Sequence, residues 1–269
     1  MRPFLIAACV AVTSTPAIAQ IDMRSAGEKA APRTWNVTVG ASVGAGPSYF
    51  GSNRYSASVS PIFSFQRGVG SRWLSVADDN IAFGLIGGQN WRAGFTGKFL
   101  GERRESRDFA LRGLGNVGFG AEIGGFAEYY PLPWLRARAE LRRGFAAHEA
   151  LVGDLKLDFF TRFDDRWTVS IGPRVTLAGR DFTQTYLGVN AAQSARSGLP
   201  QFRAGDGILS YGLHAQVTYQ WTPRFETSLF VEATRLAGDA ARSPLIRQRG
   251  SENQVTVGTS LRWTIDTGM

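Results

Sequence analysis

The chain has 269 residues, a formal net charge of +8 and one cysteine, Cys9. A lone cysteine excludes a disulfide framework and cysteine-built zinc sites. Arginine carries the charge, with lysine only at positions 29, 98 and 156. It is scattered along the chain, without the lysine-rich run, zinc-finger spacing or RNA-binding signature of a nucleic-acid partner.

The chain opens with Met1-Arg2-Pro3, the apolar run Phe4 to Val12, and Ala17-Ile18-Ala19. This predicts a signal peptide over 1–19, cleaved before Gln20. The apolar run is too short to span a bilayer as a helix, which takes about 20 residues. Ile6-Ala7-Ala8-Cys9 has a faint likeness to a lipoprotein cleavage box, but the apolar stretch before it is very short. Residues 20–34 are polar, contain Gly27 and Pro32, and read as a periplasmic leader.

From Trp35 onward the period is two, which places alternate side chains on opposite faces of a strand. Trp35, Val37, Val39, Ala41 and Val43 alternate with Asn36, Thr38, Gly40, Ser42 and Gly44. Ala57, Val59, Pro61, Phe63 and Phe65 alternate with Ser56, Ser58, Ser60, Ile62 and Ser64. The same rhythm predicts strands near 72–77, 80–87, 89–100 and 114–130. In 134–146, Leu135, Ala137, Ala139 and Leu141 face away from Arg136, Arg138, Glu140 and Arg142. Strands near 150–163, 166–179, 207–221, 224–236 and 253–265 complete a set of about twelve.

Soluble sandwiches alternate too, but three features favour a membrane barrel over 35–269. Several strands run ten residues or more, against about five or six in globular sheets, and a tilted transmembrane strand needs about nine to eleven. Tryptophans sit at strand ends, at 35, 73, 91, 134, 167 and 221, as interfacial girdles require. Connections after even-numbered strands are short, and long ones (101–113, 180–206, 237–252) follow only odd-numbered strands. That asymmetry is the outer-membrane pattern of short periplasmic turns and longer outer loops. The fold class is therefore all-β, a closed antiparallel transmembrane barrel in contact with outer-membrane lipid and lipopolysaccharide. No later segment is apolar for long enough to be a transmembrane helix.

Catalytic chemistry has little to draw on. His148 falls in a short outer loop beside Glu149, and His214 lies on the polar face of the tenth predicted strand. Ser210, four residues away on that face, stands about 13 Å along a strand, beyond hydrogen-bond reach. Gly113-Leu114-Gly115-Asn116-Val117-Gly118 matches the dinucleotide glycine pattern, but a loop precedes it and an alternating strand follows where a helix is needed. The sequence assigns no catalytic, cofactor or metal residue. The densest charge feature is the row Arg136, Arg138, Glu140, Arg142, facing Asp154, Lys156, Asp158 and Arg162 across a hairpin. Glu122, Glu128, Arg174, Glu226 and Glu232 extend it. Two readings stand: a selective pore lining, or a plug of ion pairs closing a narrow lumen.

Three stretches carry a resemblance. The first is Gly44-Ala45-Gly46-Pro47-Ser48-Tyr49-Phe50-Gly51-Ser52-Asn53-Arg54-Tyr55, followed by Pro61. The second is Tyr186-Leu187-Gly188-Val189 with Ser197-Gly198-Leu199-Pro200-Gln201-Phe202 and Gly205-Asp206-Gly207. The third is Arg235-Leu236-Ala237-Gly238-Asp239-Ala240 with Ser243-Pro244. Together they resemble the MltA-interacting protein / OmpV family of Gram-negative outer-membrane proteins. The resemblance implies a non-enzymatic scaffold that holds a murein lytic transglycosylase and a peptidoglycan synthase together in the cell envelope. All three stretches run from strand tops into outer loops, where Gly and Pro set loop conformation and Tyr49 and Tyr55 are expected to pack at the rim.

Overall fold

Alternating side chains build a wall with its polarity inverted. In the computed structural model, which describes residues 35–67 and 74–267, the strands close into one barrel. They are β1 (Trp35–Pro47), β2 (Tyr55–Arg67), β3 (Ile81–Gly87), β4 (Trp91–Leu100), β5 (Gly120–Leu132), β6 (Leu135–Phe145), β7 (Leu151–Phe163), β8 (Trp167–Ala178), β9 (Gly207–Thr222), β10 (Phe225–Leu236) and β11 (Asn253–Asp266). Outward residues such as Val59, Phe95, Phe99, Leu141 and Leu229 are exposed, whereas inward Glu122, Arg136, Arg142, Asp158 and His214 are almost wholly buried. Apolar outside and charged inside is the arrangement a bilayer demands of a closed sheet. No helix among the described residues is long and apolar enough to cross a membrane. The signal peptide and leader expected over 1–34 lie outside the described residues, as does Trp73.

Aromatic rings gather at the end of the barrel that carries the short turns. Trp35 stacks on Phe65 at 4.5 Å, Trp134 on Phe159 at 6.1 Å, and Trp167 meets Tyr219 at 4.7 Å. Trp91 and Trp221 stand exposed in the same belt, which forms one interfacial girdle. The long connections after β4, β8 and β10 leave the opposite end.

The strand number, eleven, is close to the expected twelve, and the difference is instructive. Antiparallel neighbours can close only in even number. Here every adjacent pair is antiparallel except β2 and β3, which run parallel and share only Ser64↔Ala82 and Phe65↔Phe83. The stretch expected as a strand near 72–77 is not in the wall, since its described part begins the run 74–80, which passes through the lumen. One crossing has moved from the wall to the inside, so β1 and β11 still pair antiparallel over Asn36↔Asp266 to Ala45↔Val257. The strand expected at 114–130 starts later, at Gly120, because 109–119 folds as a short 3-10 turn (Phe109–Leu111) and tight loop.

Candidate functional site in the lumen and its lid

The luminal run enters among apolar side chains. Leu74 and Val76 are buried against Phe160 and Tyr130. Polar wall residues then take up its backbone groups. Gln216 on β9 donates to Ser75 O at 3.0 Å and accepts from Ala77 N at 2.8 Å. Arg262 on β11 donates to the same Ser75 carbonyl at 3.1 Å.

Asp78 and Asp79 then meet the cationic wall. Arg174 (β8) binds Asp78 at 2.8 Å and Lys156 (β7) lies 3.3 Å from it. Arg136 (β6) binds Asp79 at 2.6 Å, with Lys156 at 3.4 Å and Arg138 at 3.7 Å. Asn80 donates to Glu140 at 2.7 Å. Each cation also holds wall carboxylates. Arg136 reaches Glu128 (2.7 Å) and Asp158 (3.0 Å), Arg138 reaches Glu128 and Glu140, and Arg174 reaches Asp158 at 2.6 Å. Arg142 spans Glu122, Glu140 and Asp154 at 2.6–2.9 Å. Such buried charges are tolerated because they are paired, since an unpaired one bears the full desolvation cost. At this level the ion pairs cross the lumen and leave a cavity of about 110 Å³ beside Asp79, Asn80 and Arg138.

Most of the charge row expected from the sequence is brought together here. Register places Arg136 opposite Asp158 and Glu140 opposite Asp154. Glu122, Glu128 and Arg174 join the network, Glu226 pairs separately with Arg262 at 3.2 Å, and Glu232 makes no ion pair among the described residues. Arg162 lies near the short-turn end with its guanidinium over the Phe160 ring. Sequence reasoning missed Asp78, Asp79 and Asn80. The doublet of acids was legible only as a break between two short strands.

The two histidines lie apart, one against the lid and one in the lumen. His148 is buried against the lid, 3.2 Å from Glu122, with its ring edge-on to Phe182 at 4.9 Å. His214 faces the lumen 3.8 Å from Asp78. Among the described residues neither shares a hydrogen bond with a serine hydroxyl. The glycine pattern at 113–118 opens no helix. Gly113 and Gly115 adopt left-handed φ of 85° and 77°, and their N–H groups donate to the Glu105 carboxylate at 2.9 and 3.0 Å. The chain's own acid fills the anion nest there.

Above the lumen, the long loops pack into a lid with its own apolar core. It contains α1 (Arg180–Leu187), α2 (Ala191–Ser197), α3 (Gly238–Arg242) and α4 (Pro244–Arg249). Tyr49, Leu111, Leu114, Phe182, Leu187, Val189, Leu199, Leu236, Leu245 and Ile246 bury one another. The three resemblance stretches meet here. Gly51 sits at φ 91°, and an added Cβ would come 1.9 Å from Ile246 Cδ1. Val189 and Phe202 bridge, Asp239 accepts from Gly205 N, and buried Ser243 donates to Leu187 O at 2.7 Å. Burial pushes the Tyr49 phenol up to about 12. Tyr55, expected at the rim with Tyr49, instead stands exposed on the outer face of β2, because the alternation from Val59 carries it outward. Between the lid and the luminal run lies a cavity of about 670 Å³, lined by Lys98, Asp154, Lys156, Glu232 and Tyr186 among others.

The family profile described as MltA-interacting protein MipA matches residues 39–265. No curated protein matches the chain. Among solved structures it is similar to an outer-membrane channel from Pseudomonas putida F1, at 9% identity over 88% of this chain and 97% of that one, with a TM-score of 0.49. It is also similar to a bacterial polysaccharide outer membrane secretin (9% identity, 87% and 99% covered, TM-score 0.42) and to the NanC porin (9%, 85% and 98%, 0.38).

Proposed function

The chain belongs to the MltA-interacting protein MipA family, and from that premise we propose an outer-membrane scaffold for peptidoglycan-remodelling enzymes, a lytic transglycosylase and a peptidoglycan synthase. The observation that carries the reading is the luminal run 74–80. A barrel whose interior is tied across six strands by ion pairs and hydrogen bonds works through what its ends hold, not through what passes between them.

In this reading the chain is exported, cleaved before Gln20, and inserted with its short turns and leader 20–34 toward the periplasm. The lid faces outward among lipopolysaccharide. Partners are captured at the periplasmic end, and no residue of the barrel performs catalysis. Crosslinking in intact cells, followed by pull-down and mass spectrometry, tests it. Enrichment of lytic transglycosylases or peptidoglycan synthases over an unrelated barrel supports the scaffold, and capture of assembly factors alone defeats it.

The second reading is a small diffusion pore. The cavity beneath the lid favours it, because it gives a solute somewhere to reside. Against it stand the ionic floor below that cavity and the packed lid above.

A further inference from the structure

The wall of the barrel is incomplete on one side. β3 begins at Ile81, beside Gly97 of β4, and meets β2 only at Ser64 and Phe65. Above that level no strand among the described residues stands between β2 and β4. Among the described residues, no backbone hydrogen bond crosses from the Tyr55–Phe63 edge to Lys98–Leu100. With one strand missing, the two backbones are set about 9.5 Å apart, twice the usual spacing. Over the three residues of the β4 bank the opening is about 10 Å tall.

This window is framed on every side. β3 forms its sill. The loop after β4 crosses over the top and is clasped to the β1–β2 loop, where Asp108 accepts from Ser48 at 3.1 Å and lies 3.7 Å from Arg54. Pro61 stands on the β2 bank, a residue tolerated in sheets at edges because it lacks an N–H. The cavity beneath the lid reaches both banks, touching Ser58, Ser60 and Pro61 on one and Lys98, Phe99 and Leu100 on the other. Outside, Val59 and Phe99 are 72% and 64% exposed, so the window leads from a charged cavity directly to the apolar face.

Two charged side chains of that cavity, Lys98 and Glu232, make no ion pair within 4 Å among the described residues, although Asp154 and Lys156 line the same space. Lys98 points inward at the mouth, and its register partner Glu122 is taken by Arg142 (2.9 Å) and His148 (3.2 Å). Among the described residues Lys98 has no ion pair. Glu232, on β10 across the barrel, has none either. Along a path inward from the bilayer the chain thus offers an apolar slot one strand wide, then the Ser58 and Ser60 hydroxyls with an ammonium, then a carboxylate.

We propose that this window admits a single-chain zwitterionic lysophospholipid of the ethanolamine type. Its hydrocarbon chain lies between Val59 and Phe99, its phosphate meets Lys98 and the serine hydroxyls, and its ammonium meets Glu232. One acyl chain fits a gap one strand wide, and two do not. The inference rests on the wall geometry and is independent of the scaffold reading.

The test uses the refolded full barrel in phosphatidylcholine vesicles, with a lysophosphatidylethanolamine carrying a diazirine in its chain. Adducts are mapped by mass spectrometry. Adducts are expected at 57–63 and 95–99, with yield there reduced about tenfold by Lys98→Gln and by Glu232→Gln, the scale of one charge-assisted hydrogen bond. Ser60→Trp, which fills the window, is expected to abolish them. Heat-modified migration on gels verifies that each variant is folded. Adducts spread evenly around the apolar belt, or yields indifferent to all three substitutions, overturn the proposal. Equal labelling by a lysophosphatidic acid probe overturns the role of Glu232. Full competition by glycerophosphoethanolamine, which has no chain, overturns the lipid in favour of a free phosphodiester.

Discussion

Neutralising one acid of the luminal run tests whether the ionic floor is structural. In Asp79→Asn the side chain keeps its shape but loses its charge, leaving Arg136 at 2.6 Å and Lys156 at 3.4 Å short of one carboxylate. Removing one partner of a buried pair costs about 3–5 kcal/mol. Asp79 retains 16% side-chain exposure, and each cation keeps another carboxylate, such as Glu128 or Asp158 for Arg136 and Asp78 for Lys156. Both facts place the cost at the lower end, about 3 kcal/mol. Equilibrium urea unfolding in lipid vesicles, followed by tryptophan fluorescence, reads this as a lower midpoint with an unchanged slope. The exposed pair Glu102–Arg104 supplies the control, and Glu102→Gln should change stability by less than about 1 kcal/mol. If Asp79→Asn is no more costly than the control, the run 74–80 is not held by its charges and the floor is not a fixed part of the fold.

Three further outcomes follow from the lid and the leader. Gly51→Ala forces a side chain into left-handed backbone and against Ile246, and should expose the outer loops to faster proteolysis while the strands stay protected. Asp239 is held below the usual carboxylate range by hydrogen bonds from Arg242 and then from Gly205 N. Its folded value lies below its unfolded one, so its contribution to lid order is present above the unfolded value and fades as pH falls through the folded one. Protection of the Gly205 amide, measured against its intrinsic exchange rate at each pH, should therefore fall in strong acid, and Asp239→Asn should show the lower protection already at neutral pH. Replacing residues 20–34 with a neutral linker of equal length should reduce co-purification of peptidoglycan enzymes, and undiminished capture would move the contact to the turns.

Much of the barrel was legible because a bilayer makes period-two patterning strict. Leu135 to Arg142 could face only one way, and the register Arg136↔Asp158 follows from the short hairpin that joins their strands. The luminal run was hidden for a physical reason. Leu74, Ser75, Val76 and Ala77 alternate like a strand, and only the burial of Leu74 and Val76 against Phe160 inside the lumen, with Asp78 and Asp79 reaching several wall cations, shows where they go. Long-range ion pairing has no sequence period. The lid was half visible. Gly and Pro in the three stretches marked outer loops, but nothing local announced that Tyr49, Leu187 and Ile246 would share one core. Pro61 fits the period-two row of β2, and that row alone does not tell an edge from a paired strand.

Planar-bilayer recording of the refolded wild-type protein tests most directly whether the barrel is closed along its axis. Silence is predicted, with steady channels appearing when 74–80 is replaced by a short glycine-serine linker. A stable open level in the wild type, unchanged by that replacement, would contradict it and make the barrel a pore.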